Sequence, residues 1–137
     1  MYWSVVLDTN CVISSVSRFS PKRILLDKLF EQQFEAVISS DILLEYEEKV
    51  SEKFNDEIAE EFISALIMLP NLKKIETYFR FSLIERDPDD NKFVDCAFAA
   101  NVHWLVTNDR HFNILKAIEF PKINIISLEE FIKLLDD

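Results

Sequence analysis

The strongest constraint on the fold is an alternation along the chain, in which short apolar runs are each followed by a stretch with apolar residues at helical spacing. Tyr2 to Leu7 is such a run; it ends in Asp8-Thr9-Asn10 and reads as a buried strand that delivers polar groups at its C-terminal end. Ser20-Pro21 places a capping residue before a proline at the first helical position, and Ile24, Leu25, Leu29 and Phe30 then predict a helix to about Gln33. Phe34 to Ser39 is the next strand, and Ser40 or Asp41 caps a helix in which Leu43, Leu44, Tyr46, Val50 and Phe54 pack. Asn55 or Asp56 caps another, whose Ile58, Phe62, Ile63, Leu66, Ile67 and Leu69 face inward before Pro70-Asn71 stops it. A strand around Leu72 to Ile75 follows. After Pro88, Asp89 and Asp90 open a helix with Phe93, Val94, Ala97, Phe98 and Ala100, and a strand from Trp104 to Thr107 ends at Asn108-Asp109. The tail repeats the theme with a short helix from His111 to about Ile118, a strand Ile123 to Ile126, and a helix Leu128 to Leu135 behind the capping box Ser127-x-x-Glu130. This alternation predicts a three-layer α/β fold with a mostly parallel central sheet flanked by helices. No linker, low-complexity tract or repeat interrupts residues 1–137, so one domain is expected.

Sheets of this kind bind ligands at the C-terminal ends of their strands. Asp8 and Asp109 both fall there, so two acids a hundred residues apart are expected to converge. Carboxylates brought together repel unless a cation lies between them. Glu45 stands early in its helix, placed to project toward the strand ends, and Asp90 opens its own helix, where the N-terminal partial charge favours a carboxylate. Oxygen-only ligands select Mg²⁺ or Mn²⁺ over zinc. Each acid taken singly has a blander reading, Asp90 as a helix cap, Glu45 as a surface residue and Asp109 as a turn former. Turn chemistry does not explain the joint pattern, with one strand ending Asp-Thr-Asn and another Thr-Asn-Asp.

Composition narrows the function. Apolar residues make up 49% of the 137, enough for one core. Cys11 and Cys96 sit in apolar runs without metal-type spacing, which reads as buried free thiols and a reducing, cytoplasmic setting. The start of the chain has no basic region or cleavage site, and no apolar stretch is long enough to span a membrane. With 15 basic against 25 acidic residues and a formal charge of −10, the chain is not an ordinary electrostatic nucleic-acid binder. A carboxylate pocket neutralised by divalent cations would reverse that locally. The absence of glycine excludes Gly-rich phosphate loops, so phosphate chemistry must run through metal. Lys92, Arg110 and Arg86 lie beside the acids and are the expected phosphate ligands, against a default of solvated or ion-paired roles. His103 reads as structural at a strand start, and His111 as a solvated turn residue. The aromatic residues should be core, except for Tyr78, Phe79 and Phe81, a possible surface for a partner or a homodimer.

Val6-Leu7-Asp8-Thr9-Asn10, Leu43-Leu44-Glu45-Tyr46, Asp87-Pro88-Asp89-Asp90-Asn91-Lys92-Phe93 and Leu105-Val106-Thr107-Asn108-Asp109 together resemble the PIN-domain family, in its branch of toxins from toxin–antitoxin systems. The order and spacing match across nearly the whole chain, and the Asp-Pro-Asp-Asp-Asn-Lys-Phe string is the most specific element. The resemblance implies a PIN fold, a Mg²⁺- or Mn²⁺-dependent endoribonuclease acting on RNA, and an antitoxin protein as partner. It assigns the family's catalytic, metal-holding acids to Asp8, Glu45, Asp90 and Asp109, with Asn10 and Thr107 as polar support. Asp87 and Asp89 are alternatives to Asp90. The family often carries glycine where this chain has Asn101 and Asn108, and asparagine tolerates left-handed backbone better than most residues. One rival is a catalytically silent PIN module that only binds a partner. Another is a receiver-like signalling domain, which needs paired acids early and a lysine after the last strand; here one acid and Ile126-Ser127 stand in those places.

Overall fold

Five short strands, β1 (Ser4–Leu7), β2 (Glu35–Ile38), β3 (Leu72–Lys74), β4 (Trp104–Val106) and β5 (Ile125–Ile126), lie in the order β3-β2-β1-β4-β5, and every neighbouring pair is parallel. This is a computed structural model and describes residues 2–77, 90–119 and 122–136. Parallel strands covered on both faces bury successive side chains rather than alternate ones, which is why they read as continuous apolar runs. Val5, Val6, Leu105 and Val106 are fully buried. Each such side chain contributes roughly 1.5–3 kcal/mol by leaving water.

Six α-helices complete the described layers: α1 (Thr9–Val16), α2 (Ile24–Phe30), α3 (Ser40–Lys53), α4 (Asp56–Ile67), α5 (Asn91–Ala99) and α6 (Leu128–Asp136), together with a 3₁₀ helix at Arg110–Ala117. The chain moves outward from β1 through β2 to β3, then returns past β1 to lay down β4 and β5. Right-handed crossovers in opposite directions place their helices on opposite faces. The strand order reverses between β1 and β4, and at such a switch point a crevice opens beyond the C-terminal strand ends. Leu7 pairs with Val106 in register, so Asp8 and Thr107 leave the sheet side by side. None of the described helices is long and apolar enough to cross a membrane.

Local chemistry explains most boundaries. The Ser39 hydroxyl accepts from the Ile42 N–H to cap α3, Asn55 does the same for α4 through Ile58, and Ser127 accepts from the Glu130 N–H. The expected cap of α3 at Ser40 or Asp41 therefore lies one or two residues earlier. Two expectations fail more fully. A helix, α1, begins directly after Asp8, where only a polar strand end was read. Ser20-Pro21 forms a turn rather than opening α2, with the Lys22 N–H donating to the Ser20 hydroxyl, and the helix starts at Ile24. Leu44 and Ile67 were expected inside but are exposed, because the α3 stripe runs through Ile42, Tyr46 and Val50 at four-residue spacing and Leu44 lies off it. Phe34, Phe93, Phe112 and Phe131 fill the core as expected, whereas Phe19 is exposed. Cys11 and Cys96 are free and buried. Without glycine, the left-handed positions among the described residues fall to Gln32 and Asn101, at φ 61° and 50°. Asn108 is not one of them; its side-chain oxygen accepts from the Leu128 N–H at 2.9 Å, a bond glycine could not make. Arg86, Asp87, Asp89 and the Tyr78, Phe79 and Phe81 cluster lie outside the described residues.

Candidate active site

Asp8 follows β1 directly and is 4% exposed. Its backbone N–H continues the sheet by donating to the Val106 carbonyl at 3.0 Å, which holds its carboxyl against the end of β4. There the Thr107 hydroxyl donates to Asp8 Oδ2 at 2.8 Å and accepts from the Asp109 N–H at 3.0 Å. One hydroxyl thus ties the two strand ends and fixes both acids, which valine at the same place could not do. Asp109 then turns the chain by accepting from the His111 N–H at 2.9 Å through Oδ1.

The helices bring the other groups. Tyr46 is buried, and its hydroxyl donates to the Leu7 carbonyl, anchoring α3 to the last residue of β1. The neighbouring Glu45 is thereby carried to the strand ends, where the Thr9 hydroxyl donates to Oε2 and Lys92 Nζ stands 2.6 Å from Oε1. Lys92 also lies over the Phe93 ring, 5.6 Å from its centroid. Asp90 is the N-cap of α5, its side chain only 13% exposed. His111 Nδ1 lies 3.9 Å from Asp90 Oδ2 and 3.6 Å from Asp109 Oδ1.

Asp8, Glu45, Asp90 and Asp109 line one cavity of about 390 Å³, together with Asn10 and the α3 lysines Lys49 and Lys53. The structure therefore brings together all four acids singled out from the sequence. Thr107 supports two of them by hydrogen bonds, and Asn10 lies on the wall. Lys92, expected to hold phosphate, faces Glu45 instead. Arg110 lines an adjoining cavity that shares Asp109 as a wall. His111 was read as a turn residue, yet it stands against two of the acids. Nothing in its sequence position marks that, since the contact depends on where α5 starts. Lys49 and Lys53 were legible, because they follow Glu45 at steps of four and so share its helix face.

The electrostatics of the cleft are those of charges crowded out of water. Burial pushes the Asp8 carboxyl up to about 6, with Asp109 and Glu45 adding to the rise against the opposing Thr107 hydrogen bond. Cations in the cleft are fewer than carboxylates, since Lys92 meets Glu45 and Lys49 turns to Glu52 at 3.4 Å. A cluster in which ligand atoms of Asp90, Asp109 and His111 all lie within 4.8 Å of one another, in a cleft that Asp8 and Glu45 also line, fits a divalent cation. Such an ion would offset the smaller part of the rise in Asp8, the part that Asp109 and Glu45 add to burial.

A family model described as PIN domain matches residues 4–111. Similar solved structures include VapBC2 from Rickettsia felis bound to a DNA fragment from their promoter, with a TM-score of 0.62, 21% identity, and coverage of 90% of this chain and 98% of that one. Another is Mycobacterium tuberculosis VapC20, a sarcin-ricin-loop cleaving toxin, at TM-score 0.58, 9% identity, and 82% and 94% coverage. The PIN domain endonuclease Utp24 aligns at TM-score 0.52 with 16% identity, over 90% of this chain and 84% of that one. No curated protein sequence matches. The matched span contains β1 to β4 and all four acids of the cleft, Asp8, Glu45, Asp90 and Asp109. The chain belongs to the PIN domain family and has the three-layer α/β fold of its nucleases.

Proposed function

We propose that this protein is a Mg²⁺- or Mn²⁺-dependent endoribonuclease, the toxin of a toxin–antitoxin pair. The observation that carries the reading is the convergence of Asp8, Glu45, Asp90 and Asp109 on one cleft at the switch point of a parallel sheet. A structural role gives no reason to place four acids there, and membership of a family with nuclease members gives one. The toxin assignment rests on likeness to VapC20 and VapBC2, and it implies a cognate antitoxin protein.

Asp8, Asp90 and Asp109 would hold the metal. Bound there, a divalent ion supplies Lewis acidity to the scissile phosphodiester and lowers the pKa of water. Thr107 holds the Asp8 carboxylate and the Asp109 backbone in place, so the two residues would need little rearrangement to hold an ion. Glu45 would orient the attacking water or reach the ion, which would release its ammonium partner Lys92 toward the phosphate. Lys49 and Lys53 line the same cleft and offset the charge of an incoming strand. Asn10 contributes an amide at the wall.

The test is cleavage of a structured RNA by the purified protein with Mn²⁺, with Mg²⁺ and with chelator. The expected result is cutting with either ion and none with chelator. RNA left intact under all three conditions points to a silent PIN module.

A further inference from the structure

Residues 110–117 form a 3₁₀ helix, not an α-helix. Its characteristic hydrogen bonds run from Phe112 N–H to the Asp109 carbonyl and from Ile118 N–H to the Leu115 carbonyl. With three residues per turn, side chains three apart eclipse one another. One row, Phe112 and Leu115, is fully buried against the core. A second row is Arg110, Asn113 and Lys116, exposed and stacked along a single line. In an α-helix the same three positions would spread around the surface by a third of a turn.

That line forms one side of a second cavity, of about 310 Å³, whose other side is built by Ile126 and Ser127 at the end of β5. Asp109 belongs to both cavities, so the second opens directly beside the acidic cleft. Its cations are available. Lys22, Arg23, Lys49 and Lys92 are engaged with carboxylates, but among the described residues Arg110 and Lys116 make no ion pair. Glu130, the acid on the opposite wall, accepts from the Ser127 hydroxyl at 3.0 Å in the cap of α6. In a chain of net charge −10, two cations and an amide in one row beside the acidic cleft present a polyanion with three donors on a single line.

We propose that this groove is a subsite for the phosphodiester next to the one that is cut, with Arg110 and Lys116 holding backbone phosphates of a single polynucleotide strand and Asn113 donating between them. The inference rests on the nuclease reading and extends it. It places the strand on the β5 side of Asp109, along the 3₁₀ axis, where successive members of the row are about 6 Å apart. Backbone contacts of this kind position the strand without reading its bases.

The test measures binding of fluorescent single-stranded oligoribonucleotides of increasing length to the full protein, with Ca²⁺ as the divalent ion to suppress cutting. Wild type should gain affinity severalfold when the probe becomes long enough to reach the groove. Lys116→Ala and Arg110→Ala should each lose that increment, and Lys116→Arg should restore it. The slope of log affinity against log salt should fall by about 0.7 for each cation removed. A merely structural role would weaken short and long probes alike and leave the increment and slope intact, which would overturn the subsite. DNA of the same sequence, gaining the same increment, would show that the groove reads the phosphate chain and not the ribose. Loss of the increment in a protein that never cuts RNA under Mn²⁺ would keep the subsite and sink the nuclease reading. If no polynucleotide binds the wild type, both fall.

Discussion

The two ends of the central sheet handle polar groups in opposite ways. At the N-terminal end, polar and aromatic groups are matched locally: His103 Nδ1 accepts from the Ser4 N–H at 3.0 Å, Trp3 meets the His103 ring edge-on at 5.3 Å, and the Glu35 N–H donates to the Trp3 carbonyl at 2.8 Å. At the C-terminal end, carboxylates from β1, α3, α5 and the turn after β4 are brought together with fewer ammonium groups than acids. The first arrangement closes the end of a fold. The second stores electrostatic repulsion that something from outside must relieve. The same parallel strands produce both, so the difference lies in which residues precede and follow each strand rather than in the architecture.

The sharpest way to break that comparison is Asp8→Asn. In the presence of Mn²⁺, cleavage of RNA should fall by more than about a hundredfold, beyond the loss usual for a group that only supports a ligand. A variant that cuts at the wild-type rate would remove Asp8 from the site.

The same substitution should do the opposite to the metal-free fold. Burial pushes the Asp8 carboxyl up to about 6 from the ordinary carboxylate value of 3.8, so the folded state holds the extra proton between those values. The stability this provides is complete below pH 3.8 and lost as pH rises through about 6. Asparagine cannot lose it and can still accept from the Thr107 hydroxyl. Asp8→Asn without metal should therefore be more stable than wild type at neutral pH, by at most about 3 kcal/mol, and urea melts of the two should converge as pH falls toward 4. A gap that stays constant with pH would place the effect outside this ionisation.

Lys92→Met is a smaller perturbation, leaving the partly buried Glu45 carboxylate without its ammonium. The cost without metal should be about 1–2 kcal/mol, between the values for exposed and buried pairs, and added divalent ion should recover part of it. At the other end of the sheet, His103→Ala should cost about 1 kcal/mol by thermal melting, with the cleavage rate per folded molecule unchanged. If His103→Ala lowered the rate as strongly as Asp8→Asn, the two ends would not be functionally separate.

How much of this was legible depended on whether a residue's role was local. The strands, α3, α4 and α6 carry their signals in adjacent residues, and Asp8 and Asp109 were found because their strands end where they do. Helix α1 was not visible: Thr-Asn-Cys-Val-Ile-Ser-Ser-Val is poor in strong helix formers. It is held instead by packing against α3, with Ser15 donating back to the Cys11 carbonyl at 2.7 Å. The short helix after Asp109 was legible but its 3₁₀ type was not, because Phe112, Leu115 and Ile118 at steps of three suit either geometry over so short a span. Glu45 was placed correctly, but its pairing with Lys92 joins residues 47 apart and leaves no trace in either neighbourhood. His111 escaped for the same reason.

The central claim is that the crowded acids form a specific divalent-cation site. Thermal melting of wild type and Asp8→Asn, each titrated with MnCl₂ or MgCl₂ and separately with NaCl at matched ionic strength, tests it most directly. A site that binds the folded state alone stabilises it by about 2.7 kcal/mol at a hundredfold excess of ion over the dissociation constant, a rise of several degrees. The account predicts that rise in wild type, most of it absent in Asp8→Asn, with sodium chloride acting alike on both. Equal divalent-ion shifts in the two proteins, or none in wild type, would contradict it and leave only an acidic surface.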